Sequence, residues 1–156
     1  MDRELALLVD NLDKAFNRRS WHGTNLRGAL RGLTLETASR RPGKGRPSIW
    51  ELALHCAYWK HTVLNRIQGG KRVSFPLEGS NWFPRSPKDG ASRLKADLAL
   101  LTKIHRELRE TVASLSPKDL DRKAGRWTWR ETILGAAAHD LHHAGQMQLI
   151  KRMKSL

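Results

Sequence analysis

A chain of 156 residues has the length of one domain and can bury a core without disulfide or metal staples. Apolar residues make up 39% and charged residues 28%, and no apolar run reaches the roughly 18 residues that a membrane span needs, so the composition excludes a membrane-spanning class and suits a soluble globular one. Twenty-nine Lys and Arg against fifteen Asp and Glu leave a net charge of +14, which draws the protein towards anions but locates no site.

The N-terminal MDRELALLVDNL is amphipathic and carries acids, unlike a secretory signal or a transit peptide. Cys56 is the only cysteine, so no internal disulfide can form, and it reads as a small core residue in a cytoplasmic protein. The basic residues are dispersed: RR at 18–19, RRPGKGR at 40–46, then pairs along the helices. No aromatic RNA-binding signature, zinc-knuckle cysteine pattern or helix-turn-helix accompanies them, so nucleic acid is the lesser expectation for a partner.

Residues 2–17 space Leu5, Leu8, Leu12, Ala15 and Phe16 as a helix does. Two short helical pieces and a Pro/Gly/Lys/Arg connector at 41–47 follow. Ser48 and Glu51 form a capping box, in which each side chain satisfies the other's backbone donor; the helix it opens is predicted to run to Gln68, where Gly69 and Gly70 stop it. Residues 71–88 hold three prolines and no periodicity, so an ordered loop is expected. A long helix over 90–114 carries Leu94, Leu98, Leu101, His105 and Leu108 on one stripe. After a turn or short helix beginning at Ser116-Pro117, Thr128 and Glu131 make a second capping box and open a helix reaching about Met153. No segment alternates as a strand does. The expected fold is all-α, a four-helix bundle with short additional helices in a single domain over 1–156, its connectivity open but with a 71–88 link long enough for a crossover.

The stretch AAAHDLHHAGQ at 136–146 places His139, His142 and His143 within five residues of the last helix. Each helical residue advances about 100°, so His143 lies about 40° from His139, Gln146 about 20° to the other side, and His142 about 60° out on the flank. Thr132, Ala136 and Met147 share the side of His139 and His143, which therefore faces the core. Two inward imidazoles one turn apart present nitrogen lone pairs at ligand distance, but a divalent metal takes three or four donors. Alone, the pair better fits one packed and one solvated histidine. The Ser48 box sets the register of IWELALHCAYWKH, with Ile49, Leu52, Cys56, Val63 and Ile67 along its apolar stripe and His55 at the edge. A third inward histidine from a different helix is what an all-helical metal site needs, and His55, His139 and His143 together make a three-nitrogen set.

Two other metal patterns fit the sequence poorly. HDLHH resembles the H-E-x-x-H of zinc proteases, but Asp140 is one methylene short of the glutamate and no downstream ligand follows. A carboxylate-bridged di-iron bundle needs Glu-x-x-His motifs on two helices, and this chain has none.

SWHG at 20–23, GLTLETASRRP at 32–42, SIWELALHCAYWK at 48–60, NW at 81–82 and HDLHHAGQMQLIKR at 139–152 resemble the DinB-like (DinB/YfiT-type) metalloenzyme family over nearly the full length. The resemblance implies a four-helix bundle, a homodimer, and Zn or Ni held by His55, His139 and His143 with water completing the coordination. Relatives with assigned activities are transferases and isomerases that use a low-molecular-weight thiol, bacillithiol or mycothiol. It therefore implies a thiol-dependent S-transferase or isomerase acting on a small-molecule substrate, with a hydrolase on the same site, or a non-catalytic metal- or nucleic-acid-binding bundle, as alternatives. Three neutral histidines leave a metal its full charge, which lowers the pKa of a bound thiol or water. The basic surface favours acidic substrates and the carboxylates of such thiols.

Around the three ligands, Glu51 lies one turn before His55 and is a candidate to orient its free nitrogen. His142 is a candidate spare base and Gln146 a candidate hydrogen-bond partner. Trp59, with Tyr58 and Trp82, is a candidate wall of a pocket mouth, and Arg66, two to three turns past His55, could meet an acidic substrate.

Overall fold

In the computed structural model, which describes residues 2–69 and 72–153, four long helices surround the core: α1 (Arg3–Phe16), α4 (Ile49–Gln68), α5 (Gly90–Ser114) and α6 (Trp129–Arg152). Two short helices, α2 (Leu26–Ala29) and α3 (Leu35–Ser39), lie between α1 and α4, and single 3-10 turns (Pro87–Asp89 and Pro117–Asp121) precede α5 and α6. Gly70 and Lys71, part of the expected stop and loop, lie outside the described residues. Both predicted capping boxes form, Ser48 with Glu51 and Thr128 with Glu131. Gly69 ends α4 in the left-handed region at φ 63°, a conformation a side chain adopts only with strain.

Among the described residues, secondary structure departs from expectation in a strand pair, β1 (Lys123–Ala124) and β2 (Trp127–Thr128), antiparallel about a turn at Gly125. Two residues per strand are too few to show alternation, so the sequence carries no signal for it.

Each long helix packs against two others, in the cyclic order α1, α5, α4, α6. Contacts between named residues set their directions. Glu4 pairs with Arg130 at the start of α1 and α6, and Phe16 shares a cluster with Ala144 and Met147, so these two helices are parallel. Trp50 bonds to Asp97, while Leu64 and Ile67 pack with Leu108 and Val112, so α4 and α5 are parallel too. Lys60 meets Asp140 and His55 meets His143, so α4 and α6 are antiparallel. The bundle therefore runs up-down-down-up, and the link from α4 to α5 must return along the whole bundle.

That link is a strap laid antiparallel along α4. Asn65 and His61 bond to Val73, Tyr58 packs edge-on to Phe75, His55 and Trp59 bond to Asn81, and the Arg85 N–H donates to Glu51. The crossover thus brings residues 81–82, remote in sequence, against the histidine of α4.

Candidate metal centre

His55 projects from α4, and His139 and His143 from facing turns of α6. The Nε2 atoms of His139 and His55 lie 3.1 Å apart, and those of His143 and His139 lie 3.0 Å apart. His55 and His143 are buried at 7% and 6% exposure and His139 is half-buried, so one side of the cluster is open to its surroundings.

The outer nitrogens explain why three Nε2 atoms point at one another. The Nδ1–H of His55 donates to the backbone carbonyl of Asn81 at 2.9 Å, since a carbonyl can only accept. The Nδ1–H of His143 likewise donates to Gln146 Oε1 at 2.7 Å. In both neutral rings the proton is therefore on Nδ1 and Nε2 carries a lone pair. His139 can donate from Nε2 to only one of the two, so at least one convergent lone pair has no proton to accept. A cation at the centre satisfies all three, and the donor set fits a divalent metal with imidazole ligands.

Burial keeps the rings uncharged. It pushes His139 down to about 3, with His143 and His55 adding to the effect, and His143 down to about 4; it also lowers His55. Neutral imidazole is the form that ligates a metal.

The second ring of contacts differs in part from expectation. Glu51 does not reach His55: its carboxylate accepts from Ser48 N–H, Arg85 N–H and Arg41, so the cap and the strap use it fully. Asn81 takes the position foreseen for Glu51, from the strap. It sits in the left-handed region at φ 63°, where asparagine is tolerated better than most residues, and its side-chain oxygen accepts from Trp59 Nε1 at 2.9 Å. Trp82 stacks flat on His55, with ring centroids 4.0 Å apart and planes 10° apart, covering a face of that ligand. Trp59 stands beside the cluster, 6.4 Å from His139 between centroids. Gln146 is a direct partner of His143. His142 is exposed, its ring 4.9 Å from that of His143, and takes no part in the convergence.

Sequence reasoning passed over the buried pair behind the cluster. Lys60 Nζ donates to Asp140 Oδ2 at 2.6 Å, with side-chain exposures of 1% and 0%. The signal was present: Lys60 falls on the apolar stripe of α4 between Cys56 and Val63, and Asp140 lies between Ala136 and Ala144 on α6. Cys56, His139 and Asp140 also bring possible ligand atoms within 4.8 Å of one another. That set fits a metal poorly, because the ammonium of Lys60 already pairs with one oxygen of the Asp140 carboxylate, and burial together with Asp140 raises the Cys56 thiol well above its usual range.

An all-α bundle with three imidazoles converging from two antiparallel helices defines a helical protein whose histidine cluster can hold a metal ion. The family model of the DinB superfamily matches residues 18–147, which include all three histidines, and the chain belongs to that superfamily. Proteins of this kind are generally metal-binding. No curated protein and no solved structure matches the chain. Among the described residues, no helix is long and apolar enough to cross a membrane.

Proposed function

We propose that this protein is a divalent-metal-dependent enzyme, with Zn or Ni held by His55, His139 and His143, that catalyses a thiol-dependent S-transfer or isomerisation on a small acidic molecule. The observation that carries the reading is the convergence of three Nε2 atoms, two of whose lone pairs, on His55 and His143, are set by Asn81 and Gln146. A metal bound there supplies a positive centre that lowers the pKa of a thiol or water beside it. The chain's own residues do the rest. Asn81 and Gln146 hold the ligand tautomers, Trp82 shields His55, and the half-buried side of His139 leaves room for an incoming group. The net charge of +14 favours anionic thiol cofactors and substrates. Leu134 and Leu149 on α6, exposed at 43% and 64%, support a homodimer, which sedimentation reads directly.

Elemental analysis of tag-free protein beside His55→Ala tests the metal. About one Zn or Ni per chain, lost in the variant, is expected for a three-histidine site; no metal before or after titration removes the proposal. Metal-loaded protein is then assayed with electrophiles in the presence and absence of a thiol. Turnover that needs the thiol supports the transferase, and turnover without it assigns a hydrolase.

A further inference from the structure

An apolar slot of about 340 Å³ opens beside the cluster, in the groove between α4 and α6. His139 and Trp59 form one end; Arg66, Glu131 and Trp127 form the other; Val63 and Ala136 line the stretch between. Because α4 and α6 are antiparallel, moving from Trp59 to Arg66 follows the same direction as moving from His139 back to Glu131. The latter step is eight residues, or about 12 Å of helix. The slot is therefore elongated, with the candidate metal centre at its inner end.

Gly135 lies in the wall of this slot, in the interior of α6. A Cβ built there meets nothing within 4 Å, and its φ is an ordinary helical one. Neither close packing nor backbone conformation requires a glycine, which in a helix interior costs about 1 kcal/mol relative to alanine. What the missing side chain does leave is the space of the slot.

The far end holds one cation, Arg66, and one carboxylate, Glu131. Arg66 has no carboxylate within salt-bridge distance among the described residues; Arg126, outside the lining of the slot, lies over the ring of Trp127, 4.5 Å from its centroid. Glu131 is turned back to the helix cap, where it accepts from the N–H and hydroxyl of Thr128. The ammonium of Lys60 is held by Asp140, leaving its methylene stem to line the slot.

We propose that this slot binds the enzyme's second substrate as an elongated aryl or alkyl carboxylate, its apolar body between Trp59 and Trp127, its carboxylate at Arg66 and its reacting end at His139. That the occupant is the electrophile of the reaction rests on the function proposed above; that the slot binds such an acid does not.

The test is calorimetric titration of 4-phenylbutyrate, and of its neutral carboxamide, into the full chain, with metal content measured on the same samples. Wild-type protein binds the acid about threefold to fivefold more tightly than the amide, the range for a solvent-screened charge pair. Arg66→Met abolishes that preference. Gly135→Leu, which gains helix propensity, weakens both ligands at least about tenfold by filling the slot. Trp127→Ala, a change at a half-exposed ring, weakens both as well and covers the case in which the leucine disturbs α6. No binding by wild-type protein, equal affinity for acid and amide, or affinity untouched by both Gly135→Leu and Trp127→Ala overturns the proposal, the last placing the probe elsewhere on the basic surface. Binding with this pattern in protein that holds no metal, and takes up none on titration, upholds the slot and removes the metalloenzyme reading alone.

Discussion

Lys60 and Asp140 form an ion pair with no solvent on either side, five residues after His55 on α4 and one residue after His139 on α6. The pair clamps the two ligand-bearing helices at the depth of the cluster. Asp140 Oδ1 has no partner among the described residues, so the clamp is not fully satisfied.

Removing one partner leaves a buried charge. Lys60→Met or Asp140→Leu is expected to destabilise the fold by about 3–5 kcal/mol, whereas the two together recover most of the loss. Urea denaturation of the three variants and wild type gives the cycle. A double variant that costs the sum of the two singles would mean that the charges are not coupled.

Asn81 separates backbone from side-chain effects at the cluster. Asn81→Gly keeps the φ of 63° and the carbonyl that holds His55, losing only the bond to Trp59, so metal affinity stays close to wild type. Asn81→Val is β-branched and strained at that φ, so the carbonyl shifts and affinity falls about 10–100-fold, as for loss of an outer partner of a ligand. Chelator competition measures both, and equal losses would show that the side chain, not the carbonyl, is what matters.

The long helices are legible in the sequence because capping boxes at Ser48 and Thr128 fix their starts and the apolar period fixes their inner faces. The three histidines follow from those registers, since two angles on α6 and one on α4 suffice to point them inward. Helix order around the bundle is a different matter. It depends on which faces pair across long links, and a strap that returns along α4 has no periodicity of its own. Asn81 is hidden for that reason and for another: it acts on His55 through a main-chain oxygen, which every residue type possesses. Glu51 shows the opposite error, a side chain at a plausible spacing whose oxygens the cap and the strap had already taken.

His105 makes the fold sensitive to acid. It is buried against Phe16, with ring centroids 3.7 Å apart, and burial, helped by the charges of Lys60 and Arg109, pushes it down from 6.5 to about 2. Above pH 6.5 both folded and unfolded states hold the neutral ring. As pH falls below that value the unfolded chain takes up a proton that the folded one refuses. Stability is therefore lost between about 6.5 and 2, at about 1.4 kcal/mol per pH unit for this one group. His139 and His143, pushed to about 3 and 4, add the same sign in metal-free protein. In a series of urea titrations from pH 7 to about 4.5, His105→Leu is expected to flatten the decline by one proton's slope. An unchanged slope would mean that His105 takes up its proton in the folded state.

Gln146 offers control over His143 from outside the cluster. Its Oε1 accepts the Nδ1 proton at 2.7 Å, on the exposed side of α6. Gln146→Glu replaces an amide oxygen with a carboxylate, which makes the imidazole a more basic ligand, and is expected to tighten metal binding. Gln146→Leu removes the acceptor and weakens binding by about tenfold, the lower end of the range for such partners because water can reach the freed nitrogen. The order Glu above Gln above Leu in chelator competition is the expected result. Because a carboxylate also raises the proton affinity of the ring, the advantage of Gln146→Glu should shrink as pH falls, as protons compete for His143. A flat response across all three side chains would show that Gln146 does not set the tautomer of His143.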